Sequence, residues 1–596
     1  MSADFNKILI QDDRISNLTD KIDFAVMKGA QQITVSEINA TSKSPSSIVF
    51  NVVVPSLETI VDRHVMIKTT LILKVTGTVA VDSQLISYGF RDALGAFPMH
   101  SLINTMSCTI NNNTVSMNVK DVLPALVRML DNRELARYNN TTPVLYDSYL
   151  NYADMISADN SSFNDFGNNL DQFIKPRGAF ALDSCTEDSA GTVPMSIGVG
   201  AGAGLLKTAY IKITLEEPLL LSPFIFGNPT SNNQGMYGIA NMSFNLTLGS
   251  CNRFWRHILN AKSVLTDVSI ESIEKSSLMF TFLSPHPSQQ LNSRCILPYY
   301  EFNRYITNGV AIAGLPARIA GAKISPASET ISSSTVSFNC IPDKLVIFLR
   351  KPVQTWTDSD SFLTISKINI NWNNSSGVAS SYTQSDLWRM SVKNGSNQSW
   401  DEFRGYASKK ALAIETTAGT GAGTFVPTCG SVLILAFGTD IPLINDYDAP
   451  SSIGNYTFQI AVTATNYYTD PVTPELVICT LNSGCMALEK GTSSTYLSLL
   501  TKADVLEASQ MEPTSHSDAK RMVGGGFLDS LKSVFRFIGN NRKTIGAIAR
   551  TGMDAYSGKD SHAMARGLLS SVGAGRSGGG RSGGSQSGGS LMSRLK

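Results

Sequence analysis

Charge is scarce in this chain of 596 residues: Asp, Glu, Lys and Arg together make up 16%, against about a quarter in ordinary soluble domains. Asn, Ser and Thr carry the polarity instead. That balance fits stacked sheets and large subunit interfaces better than a freely diffusing helical enzyme. Cysteine pairs are also missing. The eight cysteines form no Cys-x-x-Cys, and the closest two, Cys479 and Cys485, are six positions apart. This excludes a disulfide scaffold and a zinc ribbon, so reduced core thiols and synthesis in the cytosol are expected. No apolar run reaches membrane-spanning length. Met1-Ser2-Ala3-Asp4 lacks the basic flank and apolar core of a secretory signal, so the sequons at Asn245, Asn374 and Asn455 read as polar loops.

Catalytic signatures are absent as well. The six histidines show no His-Glu-x-x-His or other metal spacing. There is no Gly-x-Ser-x-Gly elbow and no phosphate-binding Gly-x-x-x-x-Gly-Lys-Ser/Thr loop. Gly198–Gly204 (GVGAGAG) lacks the strand–helix context of a nucleotide site and reads as a flexible loop. Nothing places Cys295 beside His286 as a dyad. No catalytic residue, cofactor or metal is therefore expected. Sandwich glycosidases and lectins stay open as a class, because paired carboxylates have no fixed sequence spacing.

What is present is strand after strand. Residues 1–30 read as a polar, mildly helical arm. Val-, Ile- and Thr-rich segments ending at Asn, Gly or Pro follow at 32–38, 47–54, 65–75, 105–110, 209–215 and 240–248, with a short amphipathic helix at 120–130. Residues 150–204, rich in Asn, Asp, Gly and Ser, read as a long exposed loop. The series restarts at 263–270 and 277–283, then at 335–338, 344–349, 362–370, 432–437, 457–463 and 476–481. Short strands without alternating helices predict sandwiches or barrels rather than a parallel sheet.

The chain also echoes itself. Ile110-Asn111-Asn112-Asn113 ends one strand, and Leu126-Val127-Arg128-Met129 follows on a helix. Ile370-Asn371-Trp372-Asn373-Asn374 ends another, and Leu387-Trp388-Arg389-Met390 follows. The strand-to-Arg spacings are 18 and 19 residues, which argues for a duplicated unit of about 230–260 residues.

A family resemblance rests on Ile341-Pro342-Asp343-Lys344-Leu345-Val346-Ile347-Phe348, Phe362-Leu363-Thr364-Ile365 and Asn373-Asn374-Ser375-Ser376-Gly377. It continues through Asp386-Leu387-Trp388, Asn394-Gly395, Trp400 and Gly405, and in the first half through Phe97-Pro98-Met99-His100-Ser101-Leu102-Ile103. Across roughly residues 30–510 the chain resembles the double jelly-roll major capsid proteins of small eukaryotic DNA viruses and Polinton-like or adintovirus-like elements, in the adenovirus-hexon lineage. The resemblance implies an all-β fold of two consecutive eight-stranded jelly rolls with short helices in loops; the 150–204 loop and the helical or disordered basic C-terminal tail are not required by it and are read from composition. The expected layout is an arm at 1–30, jelly roll 1 at 31–262 with its loop at 150–204, and jelly roll 2 at 263–510. A glycine linker at 511–526, basic amphipathic helices at 527–572 and a Gly/Ser/Arg-rich tail at 573–596 follow.

The resemblance further implies homotrimers that tile an icosahedral virion as pseudo-hexagonal capsomers, beside penton and cement proteins, with synthesis in the host cytosol and assembly in the nucleus. Trp372, Trp388, Trp400, Phe254 and Trp255 are candidate trimer anchors, with ordinary sandwich core as the alternative for each. Two other readings compete. One is a single-stranded-virus coat protein with one shell jelly roll plus a protruding β domain. The other is a carbohydrate-binding spike-type β protein.

The tail stands apart in charge. From Arg521 onward it holds 12 Lys and Arg against 3 Asp and Glu, leaving the body with 37 against 45. Phe527, Leu528, Leu531, Val534, Phe535 and Ile538 share one helical face, with Lys532 and Arg536 elsewhere and Arg542 and Lys543 following. Such a segment could disrupt a membrane, bind packaged genome through phosphate contacts, or dock inside the shell. Met522-Val523-Gly524-Gly525-Gly526 resembles the site cut by adenovirus-type cysteine proteases. Met522, Gly524, Gly525 and Gly526 are the expected recognition residues, with scission at Gly525–Gly526; a plain flexible linker is the alternative.

Overall fold

Two sandwiches of the same design follow one another along the chain. The first uses Gln32–Asn39 (β1), Ser47–Val53 (β2), Met66–Ala80 (β3), Ile103–Ile110 (β4), Asn113–Met117 (β5), Ala201–Pro218 (β6), Asn241–Leu248 (β7) and Ser263–Ser284 (β8). The second uses Cys295–Asn308 (β9), Val336–Cys340 (β10), Lys344–Arg350 (β11), Thr364–Trp372 (β12), Ser375–Val378 (β13), Leu433–Ala436 (β14), Ile453–Thr465 (β15) and Glu475–Glu489 (β16). The sheets run β1-β8-β3-β6 and β2-β7-β4-β5 in the first, and β9-β16-β11-β14 and β10-β15-β12-β13 in the second. Adding eight to each label of the first sandwich gives the order of the second. All pairings are antiparallel, and the interleaved strand order is that of a jelly roll. The structure is a computed structural model. It describes residues 6–11, 23–28, 32–129 (except 82 and 88–91), 147, 148, 150, 182–196, 201–224, 235–257, 263–285, 291–315, 326–408 (except 353, 354, 357, 359 and 374) and 425–505 (except 446, 498, 499 and 504).

Burial along each strand follows from what covers it. β3 (MIKTTLILKVTGTVA) buries every second residue, the period of a strand with one face on a core. β11 (KLVIFLR) buries five consecutive residues, which requires cover on both faces. The echoed asparagines form the same turn twice. Asn111 and Asn373 have φ of 53° and 50°, a left-handed conformation that Asn tolerates better than most side chains. Asn111 donates its N–H to Asn241 O, and its Oδ1 accepts from Ala240 N. Asn373 donates to Thr457 O and accepts from Thr457 N. Each turn hangs on the neighbouring strand, β7 or β15.

Among the described residues, short α-helices in the loops are Pro98–Leu102 (α1), Val119–Leu126 (α2), Gln384–Lys393 (α3) and Trp400–Arg404 (α4). α2 follows β5 and α3 follows β13, so the two occupy matching places. Capping boxes start α3 (Thr383 with Asp386) and α4 (Ser399 with Glu402). α3 also finishes an edge strand: Ser391 Oγ accepts from Ile434 N at 3.1 Å, and Asn394 Nδ2 donates to Ile434 O at 3.0 Å.

Three expectations shift. The mildly helical arm contains two strands, Asn6–Gln11 and Asp23–Lys28, paired antiparallel. The expected loop at 150–204 contains Ser184–Ser196, which pairs with β6 as an outer strand. Its polar sequence, SCTEDSAGTVPMS, gives no alternation to read. The segments at 263–270 and 277–283 are one strand, β8, whose polar interruptions are absorbed as three register shifts against β3. β8 lies between β1 and β3, so residues 263–284 pair within the first sandwich rather than opening the second.

Candidate functional site: the seam between the sandwiches

The second face of the β9-β16-β11-β14 sheet is covered by the first sandwich. Tyr299, Val346, Phe348, Ile434, Val477 and Cys479 belong to the first sandwich's core, while Leu345, Ile347, Leu349 and Ile478 alternate with them into the second. α2 supplies the polar lock of this apolar contact. Asp121, at the third position of α2 where the helix dipole favours a carboxylate, pairs with Arg350 of β11 at 2.6 Å and with Arg304 of β9. Arg350 also reaches Glu475 at 2.9 Å.

A second cluster lies where α2 runs out. Arg128 is fully buried. It donates to Asp147 O at 2.8 Å and to Asp360 O, and its guanidinium lies 4.9 Å from the Phe362 ring centroid. Arg253 grips both Asp360 oxygens at 3.0 and 3.1 Å. Arg256 pairs with Asp360 at 3.2 Å and Asp147 at 3.4 Å, and Asp360 N donates to Asp147 Oδ2 at 2.6 Å. Burial pushes the Asp360 carboxyl up, but Arg253, Arg256 and Arg128 outweigh it and hold it well below the usual carboxylate range. Burial raises Glu402, only partly countered by hydrogen bonds from Ser148 and Ser399 and by the Arg128 charge.

The arrangement is mechanical. Arg253, Arg350 and Asp360 line a small cleft with Lys120, Lys351, Phe348 and Phe362, and there Arg253 is turned toward Asp360 and Arg350 toward Asp121. Removing one partner of such a cluster leaves buried charge uncompensated, at a cost of about 3–5 kcal/mol. Among the described residues, no three His, Cys, Asp or Glu side chains are grouped to hold a metal. A strap completes the seam: in Thr492–Leu497, Ser493 N donates to Asn112 Oδ1 at 2.8 Å and Ser493 Oγ to Ile110 O.

The expected anchors divide. Trp372, Phe254 and Trp255 are buried core. Trp372 stacks on Tyr456 at 5.5 Å, and Trp255 Nε1 donates to Asp92 at 3.0 Å. These three are not presented to a partner, because each fills its own sandwich. Trp388 and Trp400 are half-buried with rings 5.7 Å apart. The echoed arginines also part: Arg128 is inside the seam, whereas the Arg389 side chain is 71% exposed. Met522, Gly524, Gly525, Gly526, Phe527, Leu531, Lys532, Phe535, Arg536, Ile538, Arg542 and Lys543 lie outside the described residues. Sequence reading singled out Arg128 but missed Asp121, Asp147, Arg253, Arg256 and Asp360.

Two family models match successive stretches of the chain. The first domain of the Sputnik virophage major capsid protein matches residues 3–283, and the C-terminal domain of major capsid protein V20 matches residues 302–484. The junction between them falls where β8 ends and β9 begins. The chain belongs to the virophage major capsid protein family. The putative capsid protein V20 of Sputnik virophage is 26% identical over 556 residues, covering 90% of this chain and 87% of that protein. The Sputnik virophage cryo-EM structure superposes with a TM-score of 0.67 at 24% identity, over 87% of this chain and 98% of its own. The mavirus major capsid protein gives 0.63 at 16% identity, over 84% and 97%. The virophage capsid protein described here is therefore a structural component of a virion shell that assembles with other capsid subunits, and not an enzyme.

Proposed function

We propose that the chain forms homotrimers of six jelly rolls, each a pseudo-hexagonal capsomer of an icosahedral shell. The observation that carries this reading is the pair of sandwiches with matching strand order, welded through one seam. Two like modules per chain supply six per trimer, and a heterologous contact that closes on itself makes a ring. The matching order also argues against a shell domain with an unlike protruding domain. Kinship with Polinton-like and adintovirus-like elements rests on the motif resemblance, as does the expectation of penton and cement partners. Synthesis in the host cytosol and assembly in the nucleus belong to the same reading.

The tail has a separate part in it. A viral cysteine protease cuts at Gly525–Gly526, and residues 526–596 then meet membrane or genome. What supports this is the Met522–Gly526 motif standing where the acidic body meets the basic tail. Expressed in full, the chain should appear by mass photometry as trimers and by electron microscopy as capsomers or shells; a strict monomer at high concentration overturns the capsomer reading. Intact mass from mature particles should show a chain ending at Gly525, and only full-length chain there would remove the cleavage.

A further inference from the structure

The cleft beside α2 holds more positive charge than the seam uses. It encloses about 360 Å³, open mouth included, and both sandwiches build it: Lys120 and Arg253 come from the first, Arg350, Lys351 and Asp360 from the second. The strand period explains how Arg350 arrives there. Phe348 and Arg350 are two residues apart on β11 and share a face. Phe348 enters the first sandwich's core, so Arg350 comes out at the rim of the same contact. Lys351 follows where the strand has ended.

The floor is apolar. Phe348 and Phe362 meet edge to face at 5.0 Å and are 0% and 2% exposed. They offer no ring surface on which a nucleobase could stack. They do keep the local dielectric low, which strengthens a charge contact made above them.

The charges are unevenly spent. Both Asp360 oxygens are taken by Arg253, at 3.0 and 3.1 Å. Lys351 meets Asp358 at 3.2 Å. Arg350 gives Nη1 to Asp121 and Nε to Glu475, and no acceptor among the described residues takes its Nη2. Lys120 is exposed and has no acidic partner among the described residues. Four cationic side chains thus line the cleft against one carboxylate, and that one is already neutralised.

We propose that this cleft binds a phosphate group, held by Lys120, Lys351 and Arg350 Nη2. A phosphate presents charged acceptors in several directions, as donors arriving from two sandwiches require. Asp360 does not repel it, because Arg253 and Arg256 neutralise that carboxylate. The bound anion joins α2 to the end of β11 and so clamps the two sandwiches of one chain. The cleft has room for free phosphate or for the end of a polyphosphate chain, and not for a stacked base. The clamp is independent of how copies pack and of what the tail meets.

Equilibrium dialysis of the full chain against radiolabelled inorganic phosphate, at an ionic strength fixed with chloride, tests the site. The wild type should take up phosphate saturably, and Lys120→Glu should bind it at least about tenfold more weakly, because a like charge then faces the anion. Lys367→Glu makes the same reversal at an exposed position of β12 and should bind like the wild type. Phosphate should also raise the melting temperature of the wild type and of Lys367→Glu, but not of Lys120→Glu, since a ligand of the folded state alone stabilises it. Lys120→Met repeats the comparison without a new charge if Lys120→Glu does not fold. Tripolyphosphate that competes at lower concentration than phosphate identifies a polyphosphate chain as the occupant; competition at no lower concentration identifies free phosphate. Absence of saturable uptake, Lys120 variants that bind like the wild type, or equal loss in Lys120→Glu and Lys367→Glu overturns the site.

Discussion

Asp360 and Glu402 both feel the Arg128 charge in the seam, yet burial leaves them on opposite sides of their ordinary values. Asp360 has Arg253 and Arg256 against it, so its folded value is depressed. Its contribution to stability is present above its ordinary 3.8 and is lost only as pH falls through the folded value. Glu402 is raised above 4.5 because burial exceeds what its hydrogen bonds return. Its contribution is present below 4.5 and is lost as pH rises through the folded value. Glu402→Gln keeps an oxygen for Ser399 N and has no charge to desolvate. The variant should therefore gain on the wild type as pH climbs from 4.5 toward neutrality, read as the difference in melting temperature. A difference that stays flat across that range would show that Glu402 does not titrate against folding. None of this was legible in the sequence. Arg253 and Asp360 are 107 positions apart, and each lies in connecting chain without periodicity, so only the fold brings them together. Arg128 was visible because it recurs as Arg389, but the echo could not tell which copy is buried.

Elements were legible where one face met a core and the other met polar surroundings. The pattern at 65–75 anticipates most of β3, and the segment at 344–349 most of β11. Legibility fails for Ser184–Ser196, polar throughout, and for β8, where bulges break the period of two. The asparagine turn is legible as an echo, and the structure gives its physical reason. Holding a β-carbon at positive φ costs about 1–2 kcal/mol for most residues, and a side-chain hydrogen bond adds about 1 kcal/mol. Asn373→Ala should therefore lose roughly 1–2 kcal/mol, measured from the urea midpoint. Asn373→Gly, which keeps the backbone conformation open, should lose less. Equal losses for the two would mean that the Oδ1 contact to Thr457 N, and not the left-handed φ, is what selects asparagine here.

At the scale of the whole molecule the charge divides between shell and tail. All described strands end by Leu497, so cutting after Gly525 removes none of them. A chain of residues 1–525 should melt like the full chain and trimerise as well. Its surroundings should change more than its fold. Residues 1–525 hold 38 basic and 45 acidic residues, whereas residues 526–596 hold 11 and 3. Attraction to a polyanion is therefore expected of the tail and opposed by the body. Full-length trimers should bind duplex DNA or anionic vesicles at low salt and release them as salt rises, because the contact is driven by counterion release. Trimers of residues 1–525 should bind neither. Comparing the two ligands at matched salt decides between genome and membrane: retention on DNA alone favours genome contact, while leakage from vesicles marks the apolar segment 527–538 as membrane-active. If residues 1–525 bind DNA as tightly as the full chain, the polyanion contact lies on the sandwiches, and the role given to the tail is wrong.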